Sequence, residues 1–246
     1  MKTALRLTLL LLIGITPLVN AADTPVKPEV LLLTGDDVSS HNWRDTSQAM
    51  REILEQSGKL TVRVSEDPML LESEQALQRY DVILLALYNS SIGDISDQAK
   101  ENLLNFVKSG KGFVVTHLSS ASYKDWQEFG NLTGRKWVMG TSGHGPRSVF
   151  ESKVVRDHPI TKGLPATFQT DDELYAKLQG DAEITVLVEA DSDWSQKTEP
   201  LVFIRDYGKG RVFHYAYGHD RKALETPEVR QLLINGTQWA ATGEVK

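Results

Sequence analysis

The chain of 246 residues contains no cysteine. This absence excludes disulfide bonds, thiolate nucleophiles, cysteine-ligated metal sites and anchoring through a lipid-modified cysteine. The sequence also lacks a cluster of basic residues, and its formal net charge is −6 at pH 7. Because nucleic-acid binding depends on clustered Lys and Arg side chains, nucleic acid is not an expected partner.

Long apolar runs are scarce, and the one near the start is short. Two basic residues precede the apolar run 7–13, and Val19 and Ala21 place small side chains before a cleavage site. This pattern predicts a secretory signal peptide over residues 1–21. A transmembrane helix needs about 20 apolar residues, whereas Gly14 interrupts this run. We therefore expect a periplasmic or secreted protein with no membrane association after cleavage.

Residues 22–246 contain no linker, repeat or low-complexity stretch, which predicts a single domain. Strand-like and helix-like segments alternate in the first half. The predicted strands are 30–33, 60–64, 81–87, 113–116, 149–155, 184–189, 201–205 and 212–215, and the predicted helices are 43–56, 72–79, 96–109, 123–132 and one from Pro227. This order predicts an α/β fold with a mostly parallel sheet, helices on both faces and antiparallel additions in the second half.

Three of the six histidines lie just beyond predicted strands, namely His41, His117 and His219. In a parallel α/β sheet the carboxyl ends of the strands line one crevice, where ligands bind. Imidazole is the side chain best suited to proton transfer near neutral pH. We therefore predict that these three histidines are catalytic and share a pocket. His214, within a strand, and His158, before a proline, are interpreted as structural.

Five further side chains are candidates for substrate binding. Glu173 and Tyr175 would share one face of an extended segment, although the surrounding acidic run is also typical of a solvated loop. His144 lies in a glycine-rich loop from which it could reach the pocket. Trp43 could form an aromatic wall for a sugar or anchor its helix, and Asp36 could contact sugar hydroxyls or compensate a helix start.

Several short motifs occur in an order and spacing that resemble the ThuA-like (trehalose utilisation) family. They are Leu-Leu-Thr-Gly at 32–35, His-Asn-Trp at 41–43, Thr-His at 116–117, Asp-His-Pro-Ile-Thr at 157–161, Asp-Glu-Leu-Tyr at 172–175, and 207–213 running into Gly-His at 218–219. The resemblance implies a class I glutamine-amidotransferase-like (flavodoxin-like) fold. It also implies a role in carbohydrate metabolism, by association with trehalose and other glucosides processed through 3-keto intermediates.

One departure from that superfamily limits the chemistry. Amidotransferases of this fold carry a nucleophilic cysteine on the turn after a strand, where this chain has His117 followed by Ser119 and Ser120. Hydrolysis of glutamine by that route is excluded. A serine nucleophile is an alternative, but the Gly-x-Ser-x-Gly frame is missing.

The favoured hypothesis is an enzyme acting by acid–base chemistry on oxidised sugars, as a lyase, hydratase, isomerase or hydrolase. A ketone at C3 acidifies the neighbouring C–H, so that a positioned base can remove the proton. His117 would be the base and His41 or His219 the acid, while Glu173 and Tyr175 would bind the substrate.

Two alternatives remain open. Three histidines and a carboxylate suit Zn²⁺ or another divalent ion, but no local His-x-x-x-His spacing supports a metal site, so no residue is assigned as a ligand. The chain could also bind a carbohydrate without catalysis. No Gly-x-Gly-x-x-Gly motif follows the first strand, so a nucleotide cofactor is not expected. Any redox step would then need a separate sugar oxidoreductase.

Overall fold

A computed structural model describes residues 26–246, and the predicted signal peptide lies outside this range. Its strands form one nine-stranded sheet in the order β2-β1-β3-β4-β9-β8-β7-β5-β6. The strands are β1 (Glu29–Leu33), β2 (Thr61–Ser65), β3 (Val82–Leu85), β4 (Gly112–Thr116), β5 (Ser148–Val154), β6 (Thr167–Asp172), β7 (Thr185–Ser192), β8 (Lys197–Tyr207) and β9 (Gly210–Tyr215).

One half of the sheet is parallel. The five strands β2-β1-β3-β4-β9 all run in the same direction, and their order matches the flavodoxin-like arrangement 2-1-3-4-5 with β9 as the fifth strand. Every residue of β3 and β4 is buried. This explains their continuous apolar sequences, because a parallel strand is covered by helices on both faces.

The other half contains the predicted antiparallel additions, but they are so extensive that the prediction of a mostly parallel sheet is not confirmed. Four neighbouring strand pairs are parallel and four are antiparallel, from β9-β8 through β8-β7 and β7-β5 to β5-β6. Only two residues, Gly208 and Lys209, separate β8 from β9. Such a short connection forms a hairpin, whereas a parallel neighbour needs a crossover of a dozen or more residues. The described sheet is therefore mixed.

Helices cover both faces of the sheet, as the sequence predicts. They are α1 (Trp43–Gln56), α2 (Glu74–Leu77), α3 (Asp97–Lys108), α4 (Gln127–Thr133), α5 (Arg221–Leu224) and α6 (Pro227–Thr242). Helices α1 and α6 pack with Val30 and Leu32 on one face. Helices α3 and α4 pack with Leu31 and Leu33 on the other. This separation follows from the alternation of side chains along β1.

Two predicted helices are shorter than expected. Within the segment 72–79 only Glu74–Leu77 (α2) is α-helical, and it begins after Ser73, whose hydroxyl accepts the Ala76 N–H. A separate 3₁₀ turn, Pro68–Glu72, precedes it. The segment 123–132 becomes helical only at Gln127, since Tyr123 has a φ of 49° and forms a turn instead. Among the described residues, no helix has the length and apolar character needed to cross a membrane.

Candidate active site

Four chain segments meet at the carboxyl edge of the parallel strands. His117 follows β4, and His219 lies beyond the end of β9. The antiparallel order from β9 to β6 returns β6 to the direction of β9, so Glu173, which follows β6, reaches the same edge. His41 directly precedes Asn42, which caps α1 by accepting the Asp45 N–H.

The nearest side-chain atoms of His41, His117, Glu173 and His219 lie within 4.8 Å of one another. We call these four residues the histidine–glutamate cluster. Glu173 Oε2 is 3.1 Å from His219 Nδ1, 3.4 Å from His117 Nε2 and 3.9 Å from His41 Nε2. His41 Nε2 and His219 Nδ1 are 3.2 Å apart. The structure thus brings together the three histidines that the sequence predicts to share a pocket.

His117 is the most buried histidine of the cluster and has an unusual backbone conformation. Its φ is 28°, in the left-handed region that residues other than glycine rarely adopt. The ring Nδ1 is 2.8 Å from the carbonyl oxygen of Ala216, which can only accept, so Nδ1 carries the proton. The buried Nε2 then presents its lone pair towards Glu173 and has no hydrogen-bond donor. Such backbone strain is typical of functional sites.

A buried carboxylate, Asp172, joins the two sides of the cluster. It accepts the N–H of Gly218 at 2.7 Å, of His219 at 3.1 Å and of Glu173 at 2.8 Å. Gly218 has a φ of 109°, and a Cβ there would lie 2.9 Å from a methyl carbon of Leu224. Burial raises the pKa of Asp172, which these backbone bonds oppose. Asp172 therefore fixes the backbone positions of two cluster residues.

The surroundings of the cluster shift the pKa values of its residues in different directions. Burial, together with the neighbouring imidazoles, lowers the pKa of His41 to about 3. The close contact with the Glu173 carboxylate, whose Oε2 is 3.1 Å from Nδ1, raises the pKa of His219. Burial would raise the pKa of Glu173, but the contacts with His117 and His219 outweigh it and hold that pKa well below the usual range. At neutral pH the ion-free cluster therefore has an anionic carboxylate and a neutral His41.

Two more of the predicted residues lie beside the cluster. His144 Nε2 is 3.6 Å from Glu173 Oε2, and its Nδ1 donates to the carbonyl of Gly145 at 2.7 Å. Tyr175 is stacked against His117 with the ring centres 3.9 Å apart, and the ring of Trp137 is 4.7 Å from that of Tyr175. Burial raises the pKa of Tyr175 well above its ordinary value.

Trp43 and Asp36 lie at the mouth of the site rather than in the cluster. The Trp43 indole N–H donates to Asp37 at 2.7 Å. Asp36 accepts the backbone N–H of Ser91 at 2.7 Å, which ties together two loops. Both residues border a narrow cavity beside His41 and His117. A second cavity of about 480 Å³ also opens beside the cluster. It is lined by Asp37, Val38, Ser39, Ser40, His41, Asn42, Trp43, His219 and Asp220.

The remaining candidates from the sequence lie elsewhere or have other partners. His214 is buried and stacked on Phe203, and His158 packs against Trp239. The hydroxyl of Ser119 donates to the carbonyl of Leu85 at 2.7 Å, and that of Ser120 donates to the carbonyl of His117 at 2.8 Å. Neither serine therefore has the imidazole partner that activates a nucleophile.

Sequence reasoning missed two residues of the site. Asp172 belongs to a motif that the sequence singles out, but its role depends on contacts with Gly218 and His219, which are distant in sequence. Trp137, against Tyr175, lies in a segment with no strong helical or strand pattern. No signal in the sequence indicates its position.

The fold and the site now allow comparison with known proteins. The family model named ThuA, described as trehalose utilisation, matches residues 29–240. The structure is similar to a ThuA-like protein from Parabacteroides merdae ATCC 43184, with a TM-score of 0.79, 26% identity, and coverage of 90% of this chain and 92% of that one. A ThuA-like protein from Bacteroides uniformis ATCC 8492 gives a TM-score of 0.72 at 17% identity, covering 92% and 98%.

A likeness of fold extends to part of a larger enzyme. The β-galactosidase from Bacillus circulans sp. alkalophilus matches with a TM-score of 0.57 and 16% identity, over 88% of this chain and 31% of that protein. At this identity the likeness concerns the fold alone. No curated protein sequence matches this chain.

These findings define an α/β protein with a mixed sheet and an ionisable cluster at the carboxyl edge of its parallel half. The chain belongs to the ThuA family, which is linked to trehalose utilisation. The resemblance seen in the sequence motifs is confirmed.

Proposed function

We propose that this protein is an enzyme of carbohydrate metabolism that acts on a sugar bearing a carbonyl group, with 3-keto-glucosides as the representative class. The observation that carries the proposal is the meeting of His41, His117, Glu173 and His219 at one edge of the sheet. These residues come from four separate segments of the chain, and ionisable groups gathered in a crevice with perturbed pKa values are typical of catalytic sites.

A sugar is the proposed substrate for two reasons. The family is linked to trehalose utilisation. In addition, the cavity of about 480 Å³ beside His219 offers hydroxyl and amide groups from Ser39, Ser40 and Asn42, with Trp43 at its border. Polar groups of this kind match the hydroxyls of a sugar, and an aromatic ring matches its C–H face.

The proposed reaction begins with removal of a proton from the carbon next to the ketone. The C–H bond breaks, its electron pair forms a C=C bond, and the carbonyl oxygen becomes an enolate. His144 is the proposed base in place of His117, the base predicted from the sequence, because the Nε2 of His144 is unprotonated when its Nδ1 donates to Gly145. Its side chain is 32% exposed, against 2% for His117. Elimination, hydration, isomerisation or hydrolysis would proceed from the enolate.

The proposal also includes export of the protein and a separate enzyme that forms its substrate. The pattern of residues 1–21 supports a periplasmic or secreted location. The ketone must be introduced before this enzyme acts. Because the sequence has no dinucleotide-binding motif after the first strand, a separate sugar oxidoreductase would supply the substrate.

The proposal is tested by proton NMR of the purified protein with 3-keto-glucosides in deuterated water. We expect the proton next to the ketone to exchange with solvent at a rate that depends on the cluster. His117→Ala should abolish this exchange, because it removes an imidazole of the cluster that contacts Glu173 and the ring on which Tyr175 stacks, and so disrupts the site beside the proposed base. The matched control is His158→Ala, which removes a histidine that packs against Trp239, outside the cluster.

The outcomes separate catalysis from binding. Exchange that is lost in His117→Ala and kept in His158→Ala supports an enzyme with its centre at the cluster. Saturable sugar binding without exchange or bond cleavage would overturn the catalytic proposal and identify a carbohydrate-binding protein.

A further inference from the structure

We infer that the histidine–glutamate cluster is a divalent-metal centre, in which His41, His117, Glu173 and His219 ligate one Zn²⁺ or a similar transition-metal ion. The site stands on the geometry of these residues alone. The role of the metal ion in catalysis rests on the proposed function.

The spacing of the donor atoms fits a single ion. Zn²⁺ binds His nitrogen and carboxylate oxygen at about 2.0–2.1 Å in a tetrahedral arrangement, which places neighbouring ligand atoms about 3.4 Å apart. In the cluster, Glu173 Oε2 lies 3.1 Å from His219 Nδ1 and 3.4 Å from His117 Nε2. His41 Nε2 lies 3.2 Å from His219 Nδ1. These three distances lie close to the tetrahedral value, His41 Nε2 is 3.9 Å from Glu173 Oε2, and all four ligand atoms lie within 4.8 Å of one another.

The donor atoms also lack partners of their own. His117 Nε2 and Glu173 Oε2 are buried and form no hydrogen bond. Because the Ala216 carbonyl holds the His117 proton on Nδ1, a lone pair faces an anionic oxygen at 3.4 Å. Two buried acceptors that face each other are unfavourable unless a positive charge lies between them. A divalent cation satisfies both atoms.

The chemistry of the donor set selects the class of metal. Three imidazole nitrogens and one carboxylate oxygen suit Zn²⁺ and other borderline first-row ions. Ca²⁺ and Mg²⁺ prefer oxygen ligands throughout and usually retain several waters. The cluster therefore favours a transition-metal ion over an alkaline-earth ion.

The surroundings of the ligands are those of a supported metal site. Metal-bound histidines commonly donate their other ring N–H to a carbonyl, a carboxylate or water. His117 does so to Ala216, and His41 Nδ1 is 2.8 Å from the hydroxyl of Ser40. Asp172 accepts the backbone N–H groups of His219 and Glu173 and so fixes the positions of both residues. Each ligand therefore has an oriented position before metal binds.

A bound cation would supply the positive charge that an enolate oxygen requires. His144 Nε2 lies outside the four-atom set, although it is 3.6 Å from Glu173 Oε2. It therefore keeps a free lone pair for proton transfer.

The test uses protein expressed from the full-length sequence without a histidine tag, treated with chelator and then titrated with Zn²⁺ by calorimetry. We expect one equivalent to bind, and Co²⁺ to give the visible absorption of a four-coordinate site. Glu173→Gln preserves the shape of the side chain, and His117→Ala removes the most buried ligand. Each should weaken Zn²⁺ binding by about 100-fold or more, since changes even behind the ligands cost 10–100-fold. His158→Ala should bind as the unaltered protein does.

Failure of this inference is distinguishable from failure of the proposed function. Absence of stoichiometric Zn²⁺ and Co²⁺ binding, or binding that Glu173→Gln leaves unchanged, would overturn the metal centre. Proton exchange by the metal-free protein would overturn its catalytic use while preserving the sugar chemistry. Tight binding that depends on the cluster, without exchange on any keto-sugar, would support the metal centre and overturn the function.

Discussion

A single carboxylate oxygen organises the site at the scale of residues. Glu173 Oε2 lies within 3.9 Å of imidazole nitrogens from His41, His117, His144 and His219. Three of these histidines hold their other nitrogen against an oxygen of the protein. The rings are therefore oriented towards the carboxylate before any ligand arrives, and this orientation underlies the proposed reactivity.

Asp172→Asn should weaken metal binding although Asp172 is not itself a ligand. The substitution places an NH₂ group against one of the three backbone N–H donors now held by the carboxylate. We expect a loss of about 10–100-fold in Zn²⁺ affinity and of about 1–3 kcal/mol in the free energy of unfolding. Calorimetric titration and urea denaturation measure the two effects.

The neighbouring Asp171 provides a matched control for this substitution. Its carboxylate is partly buried and pairs with Arg147 and with the exposed Lys222. Asp171→Asn should change stability by about 1 kcal/mol, because the amide oxygen can still accept from Arg147 and the exposed pair with Lys222 contributes little. Equal losses of Zn²⁺ affinity in the two variants would refute a specific positioning role for Asp172.

His144→Gln should separate proton transfer from metal binding. The glutamine side chain would remain polar but could not accept a proton, so exchange next to the ketone should fall by about 10²–10⁴-fold. Zn²⁺ affinity should remain near that of the unaltered protein, because His144 lies outside the ligand set. NMR exchange and calorimetry on the same sample measure both, and undiminished exchange would remove His144 from the reaction.

At the scale of elements, the mixed sheet brings the site together. β4 and β9 belong to the parallel half and carry His117 and His219, while β6, at the far edge of the antiparallel half, leads into Glu173. In the sheet, β8, β7 and β5 lie between β9 and β6. Because all four pairings from β9 to β6 are antiparallel, β6 runs in the same direction as β9. The antiparallel half therefore contributes the only carboxylate of the cluster.

Strong sequence patterns predicted most of the parallel half. The apolar runs of β1, β3 and β4 are buried on both faces, and the helix predicted over 43–56 coincides with α1. β6 was not predicted, since its sequence Thr-Phe-Gln-Thr-Asp-Asp is mostly polar and ends in two acidic residues. It is an edge strand, and polar residues suit such a position because one side lies open to solvent.

In the site, too, local sequence patterns predicted some residues, whereas the roles of others depend on contacts between residues that are distant in the sequence. The rule that loops follow the carboxyl ends of parallel strands indicated His41, His117 and His219. Glu173 was ambiguous because its segment resembles a solvated acidic loop. The tautomer of His117 and the role of Asp172 depend on Ala216 and Gly218, and no local pattern specifies these pairings.

Gly236→Ala in α6 should destabilise the protein, although alanine has a higher helix propensity than glycine. Alanine is favoured over glycine inside a helix by about 1 kcal/mol. A Cβ at Gly236, however, would lie 2.1 Å from the ring of Phe213 in β9, so that the helix and the sheet must move apart. Because overpacking costs about 1–3 kcal/mol, we expect a net loss of stability by urea denaturation. A gain would show that α6 packs less closely than described.

At the scale of the whole molecule, a buried histidine couples stability to pH. His214 is buried beside Phe203, and its Nδ1 is 3.3 Å from the Thr133 carbonyl. Burial lowers its pKa from 6.5 to about 4. Between these values the unfolded chain binds a proton that the folded chain excludes. The stabilising contribution is therefore complete above pH 6.5, falls as the pH drops, and is lost at about pH 4.

His214→Gln should reduce this acid sensitivity. We expect the unaltered protein to lose, through this residue, about 3 kcal/mol between neutral pH and pH 4. The glutamine variant should lose correspondingly less, whatever its stability at neutral pH. Urea denaturation of both proteins at several pH values gives the comparison, and parallel curves would mean that His214 does not contribute.

The most direct test of the account joins metal binding to catalysis in one titration. Chelator-treated protein would receive Zn²⁺ in steps, and NMR would follow deuterium exchange next to the ketone of a 3-keto-glucoside. The account predicts no exchange without metal and a rate that rises in proportion to occupancy, reaching a plateau at one equivalent. Full exchange in the metal-free protein, or none at full occupancy, would contradict it.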